Sequence, residues 1–190
     1  MIFLLLGLAL FLGGHIFTRA RGRRAELIAR LGESGYKGLY SLVSAAGLAL
    51  VVYGYATAPF VPLWTPPAWT RHIPITLMLP AFILLVAAYL PGHIRAKTKH
   101  PMLAALKLWA AGHLVANGDL ASVLLFGGFL AYGVVARILI KRESRAHGEL
   151  ARGPADGRND VVAVALGAVV YALFGVFLHP ILIGVPAFTF

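Results

Sequence analysis

Few side chains in this chain could do chemistry, and most of those are imidazoles. Seven histidines and seven acids are spread over 190 residues, and there is no cysteine. His15 lies near the end of the first apolar stretch. His100-Pro101 opens a short apolar stretch that also carries Lys107, His113 and Asn117, and His179-Pro180 lies towards the end of the last one. His72, His93 and His147 sit in or beside polar connections. With no thiol there is no disulfide framework, no thiolate metal or Fe–S site and no catalytic cysteine. A protein-only metal centre needs clustered histidines and carboxylates. Here only Asp119 and Asp160 stand at the ends of apolar stretches, and no acid stands clearly within one. Ser41, Ser44 and Ser122 lack a nucleophile-elbow context, and no Gly-rich phosphate loop is present. Imidazole chemistry remains: a hydrogen bond, a metal or the iron of a haem.

At ~100° per residue, the stretch after Pro101 divides into two lines. His100, Leu103 and Lys107 share one; Trp109, His113 and Ala116/Asn117 share the other. His113 stands ~11–12 residues past Pro101, about 17 Å along a helix. Its imidazole either bonds across to an Asn, Ser or Tyr of another helix or ligates an iron. Lys107, ~9 Å past Pro101, either snorkels to headgroups or meets an anion in the bundle, such as a haem propionate or an acidic substrate. Two axial ligands must lie at similar depth. By helical rise, His15 is ~6 Å from one membrane face and His113 ~6 Å from the other. On depth alone His100 is the better partner for His15, and tilt would have to close the gap to His113.

The elements that position these groups follow from composition. The chain is 59% hydrophobic and 13% charged, with a formal charge of +10, a mean hydropathy of +0.81 and a pI near 10.4. A soluble domain carries about a quarter charged residues, so the solvent for this surface is lipid. Nucleic acid is not the expected partner, because the basic residues occupy gaps between apolar runs rather than an exposed polar domain. A hydrocarbon core of about 30 Å needs ~17–25 apolar residues per helix. That criterion predicts six spans at 1–18, 38–63, 73–94, 102–116, 120–140 and 161–186, the fourth being short. Asn117-Gly118-Asp119 is the turn between spans four and five. Span one lacks the basic flank and small-residue cleavage site of a signal peptide.

Charge then sets orientation. The connections 19–37, 95–99 and 137–158 hold six, three and six of the 17 Lys and Arg, with Arg71 alone on the other side and Lys107 within a span. By the positive-inside rule both termini face outward. The segment 25–31 reads as an amphipathic turn on the cytoplasmic surface. Residues 143–160 read as one long mobile polar loop. Pro62, Pro66, Pro67, Trp64 and Trp69 read as a stiff outer loop with interfacial indoles. Gly47 and Gly54, seven apart, allow close helix packing. The expected class is all-α: a single-domain polytopic membrane bundle.

Several stretches carry a resemblance. LGESGYKGLYSLVSAAG at 31–47, LWTPPAW at 63–69, MLPAFILLVAAYLPG at 78–92, KHPMLAALKLWAAGHLVANGDLASVLLFGGF at 99–129, RNDVVAV at 158–164 and HPILIGVP at 179–186 resemble NnrU-type membrane proteins in order along the chain. The resemblance implies a bacterial inner-membrane protein linked to denitrification, supporting nitrite or nitric oxide reduction. A branch with the same domain comprises the 15-cis-zeta-carotene isomerases, described as haem b enzymes with histidine ligands. By that resemblance His15 and His113 match the iron ligands, and His100 matches the histidine of the family's His-Pro pair. Any thiolate ligand of that branch is absent here. The region 99–137 also resembles small isoprenylcysteine and phospholipid methyltransferases through Lys99-His100-Pro101 and a hairpin. Their following acidic pair is missing, since KRESRAHGE at 141–149 offers only Glu143 and Glu149.

The expectation is therefore haem b held by His15 with His113 or His100, with Lys107 near a propionate, in nitrogen-oxide respiration. The alternatives are a polyene cis–trans isomerase, a cofactor-free scaffold for a membrane reductase, and a methyltransferase.

Overall fold

The computed structural model describes residues 1–147 and 154–188. Among them all regular structure is helical: α1 Ile2–Phe17, α2 Arg21–Ala56, a 3₁₀ turn Ala68–Arg71, α3 His72–Ala87, α4 His93–Thr98, α5 Pro101–Ala116, α6 Leu120–His147, α7 Gly157–Leu173 and α8 His179–Ile183. A single isolated bridge pairs Pro62 with Asp119. Four helical stretches are long and apolar enough to cross a membrane: Arg21–Ala56, Ala68–Ala87, Leu120–Ala146 and Gly157–Ile183. The other two apolar helices, α1 and α5, have 16 residues each, just under the usual spanning length of ~17–25.

The predicted boundaries shift where backbone chemistry overrides hydrophobicity. The apolar run 38–63 is helical only to Ala56, because Pro59 and Pro62 lack the N–H a helix needs and bias their predecessors to extended conformations. The run 73–94 stops at Ala87, and Pro91-Gly92 separates it from the short α4. The polar stretch 143–160 is not one loop. Helix α6 continues to His147 and α7 begins at Gly157; residues 148–153 lie outside the described residues. After Leu173 the backbone widens into a π-helical turn, Phe174–Leu178, before His179-Pro180 starts α8.

The chain divides into two compact units. The first comprises Met1–Thr65 and Asn117–Leu139. There α1 packs on α2 with backbones nearly touching. A Cβ on Gly7 would stand 2.5 Å from the Val51 nitrogen, one on Gly47 2.8 Å from the Phe11 nitrogen, and one on Gly54 would strike the Leu4 backbone. Leu4, Leu8 and Val51 are buried around these glycines. Helix α6 closes this unit through Phe129 against Phe11 and through Tyr55, whose hydroxyl bonds the buried Ser122 at 2.9 Å. The expected turn at 117–119 is present. Asp119 caps α6 by accepting from the Ser122 amide, and the Gly118 carbonyl accepts from the amides of Leu63 and Trp64.

Helix α2 is two helices joined at Gly32, whose φ of 71° and ψ of 166° no other residue adopts readily. The amphipathic segment read from sequence is therefore a separate helix ahead of this break.

The second unit comprises Pro66–Ala116 and Ile140–Phe190; within it, α3 packs against α5 and α7. A Cβ on Gly112 would stand 3.1 Å from Pro74, and one on Gly167 would stand 2.6 Å from Ile83, both against backbone. Tyr171 donates to the Ile75 carbonyl at 3.0 Å.

Candidate functional site

His15 sits in the last turn of α1, half-buried. Its Nδ1 lies 2.7 Å from the Phe11 carbonyl. A carbonyl only accepts, so Nδ1 donates, which in the neutral ring puts the in-plane lone pair on Nε2. The ring is enclosed by aromatics of all three helices of its unit: Phe11 at 4.4 Å between centroids, Tyr40 at 5.6 Å and Tyr132 at 6.1 Å. Thr18 Oγ1 donates to the His15 carbonyl at 2.7 Å and closes the helix end.

His113 repeats the arrangement in the last turn of α5. Its Nδ1 lies 2.9 Å from the carbonyl of Trp109, whose ring is 5.7 Å away. Thus Phe11/His15 and Trp109/His113 are the same device: an aromatic residue four positions earlier supplies both the acceptor that fixes the tautomer and a ring beside the imidazole. Ligand histidines bind metals in this state, with the second nitrogen donating to a carbonyl or carboxylate. The spacing was open to inspection in the sequence. What sequence did not supply is that Tyr40 and Tyr132, far apart along the chain, complete the enclosure of His15.

His100 occupies the start of α5, half-buried, and its carbonyl accepts from the Ala104 amide. It follows a tight turn centred on Lys99, where the His100 amide donates to the Thr98 carbonyl at 2.7 Å and Lys99 has φ 64°. That conformation is strained for a non-glycine residue. Lys107 is half-buried midway along α5. His100, Lys107 and His113 thus share one helix of the second unit, and His15 belongs to the first.

Two histidines outside the expected set are also held through Nδ1. His93 Nδ1 lies 2.8 Å from Asp160 Oδ2, and the amides of His93 and Ile94 donate to the same carboxylate at 3.0 and 2.9 Å. With Asn159 donating to the Pro91 carbonyl, this ties the loop before α4 to the first turn of α7. His179 Nδ1 lies 2.6 Å from the Val185 carbonyl, which closes the C-terminal hook after the π-helical turn. Among the described residues no three His, Asp or Glu side chains gather as a metal site. What each unit offers is an imidazole whose Nδ1 is held by a carbonyl of its own helix, with an aromatic ring beside it.

A family model described as NnrU protein matches residues 3–187, nearly the whole chain. No curated protein and no solved structure matches.

Proposed function

The chain belongs to the NnrU family, and from that premise we propose that it is a six-span membrane protein that binds haem b through histidine imidazole. The basic connections face the cytoplasm and both termini face outward, in the bacterial inner membrane; the alternation of the Lys and Arg clusters supports this sidedness. Helices α1 and α5, about 24 Å long at 1.5 Å per residue, cross with the bilayer thinned locally.

The iron ligands are His15 and His113, with His100 the alternative to His113, and Lys107 meets a propionate. The observation that carries this reading is a shared Nδ1 contact. His15 and His113 both hold Nδ1 against a carbonyl of their own helix, the orientation of a histidine that ligates through Nε2. Haem supplies one-electron and small-molecule-binding chemistry; the protein supplies oriented imidazoles and an apolar, aromatic surround. Nitrite or nitric oxide respiration is the proposed physiological setting, and rearrangement of a lipophilic polyene is the alternative use of the same group.

The test is a visible spectrum of the protein purified in mild detergent from cells fed a haem precursor. A stoichiometric Soret band supports the reading. A colourless, folded preparation overturns it in favour of a cofactor-free scaffold that docks a membrane reductase through its basic connections.

A further inference from the structure

The first unit holds a buried polar group that the haem reading leaves unused. Tyr36 is 8% exposed, and among the described residues its hydroxyl is the buried side-chain polar atom without a hydrogen-bond partner. A buried hydroxyl left unpaired is costly, more so than the bond it could make is stabilising. Its ring stacks on Tyr40 at 6.4 Å and 19°, and the Arg24 guanidinium carbon lies 5.7 Å from its centroid. Arg24 and Tyr36 are twelve residues apart. In a straight helix their Cα atoms would stand ~18 Å apart on faces ~120° apart. The break at Gly32 therefore folds residues 21–31 back and delivers the guanidinium to the tyrosine. A permanent cation over the ring of a tyrosine whose buried hydroxyl is unpaired suits an oxyanion.

The surroundings indicate which one. Residues 19–37 carry six Lys and Arg against only Glu26 and Glu33, and Glu33 is held by Lys37 at 2.7 Å. This positive excess lies where the charge pattern places the cytoplasmic surface, whose anionic lipids attract such segments. Three and six residues on from Tyr36, Leu39 and Leu42 are exposed along α2, an apolar strip that suits acyl chains. We propose that Tyr36 and Arg24 form a headgroup site for the phosphate of an anionic phospholipid. The proposal is independent of haem and is tested on haem-free protein.

The experiment compares wild type, Tyr36→Phe, Arg24→Gln and Arg30→Gln in mild detergent. Phosphatidylglycerol, phosphatidylcholine or inorganic phosphate is added, and melting temperature and lipid retention by native mass spectrometry are read. Phosphatidylglycerol is expected to raise the wild-type melting temperature and phosphatidylcholine to leave it unchanged. Tyr36→Phe keeps both ring contacts, so it is expected to melt no lower than wild type without lipid, yet to lose about tenfold in phosphatidylglycerol affinity. Arg24→Gln should lose as much and Arg30→Gln far less.

Three results would overturn the proposal. Equal losses in Arg24→Gln and Arg30→Gln would mean diffuse charge rather than a built site. Inorganic phosphate matching the lipid would remove the membrane as its source. A Tyr36→Phe protein that is less stable without lipid and binds phosphatidylglycerol normally would mean that the hydroxyl is satisfied within the protein or by water.

Discussion

Replacing Gly47 by alanine should loosen the first unit and disturb His15 together. A Cβ at Gly47 would lie 2.8 Å from the Phe11 nitrogen and 3.1 Å from its Cα and Cβ. Restoring ordinary contact near 3.4 Å requires α1 to retreat by roughly 0.6 Å, and a gap of that size forfeits a quarter to a half of each affected dispersion contact. The side chains at this seam, Leu4, Leu8 and Val51, are at most 8% exposed, so their contacts bear the loss. Alanine is the better helix former by about 1 kcal/mol, which offsets part of an overpacking cost of about 1–3 kcal/mol. The expected net effect is a destabilisation of about 1–2 kcal/mol.

Gly13 supplies the control, because a Cβ there meets nothing within 4 Å. Gly13→Ala should be neutral or slightly stabilising. The assay is unfolding of the haem-free proteins in mixed micelles titrated with sodium dodecyl sulfate, followed by circular dichroism. Because Phe11, whose backbone nitrogen and Cα take the clash, also holds His15 through its carbonyl, the haem-loaded Gly47→Ala protein should show an altered Soret band as well. If Gly47→Ala is as stable as Gly13→Ala, the backbones of α1 and α2 do not meet and the packing argument is wrong.

Further expectations concern the joints of each unit. Gly32→Ala forces a Cβ into a region nearly exclusive to glycine and should cost about 1–3 kcal/mol or straighten α2. The chain has no cysteine, so spin labels at introduced cysteines 28 and 39 would report the straightening as a longer distance. Tyr55→Phe leaves the buried Ser122 hydroxyl without that partner and should cost about 1 kcal/mol in the same micelle titration. Asp160→Asn withdraws one of the two oxygens that receive the His93 and Ile94 groups. Hydrogen exchange at those two amides should quicken while the helical core keeps its protection.

What was legible in the sequence was what depends on local pattern. Apolar runs located the helices, Asn117-Gly118-Asp119 located the α5–α6 turn, and the Gly47/Gly54 spacing signalled the close crossing of α1 and α2. The aromatic residue four positions before His15 and before His113 was equally visible, although its use of the carbonyl needed coordinates. Helix ends were less legible, because hydropathy does not register that Pro59 and Pro62 stop α2 while the chain stays apolar. The enclosure of His15 by Tyr40 and Tyr132 and the Asp160 clasp on His93 join residues far apart in sequence. Tertiary packing decides such contacts, and no periodicity encodes them. Gly32 illustrates the intermediate case: its type permits a break, but only the positive φ shows that one occurs there.

The claim on which most depends is that imidazole of His15 and His113 ligates haem iron. The measurement is the ferric and ferrous absorption spectrum of haem-loaded protein, with His15→Ala and His113→Ala beside His93→Ala, whose imidazole is held by Asp160. A six-coordinate low-spin spectrum is expected for wild type and His93→Ala, and loss of that signature or of the haem in each of the other two. A wild-type spectrum in both His15→Ala and His113→Ala, or no bound haem in any of the four proteins, would contradict this ligation.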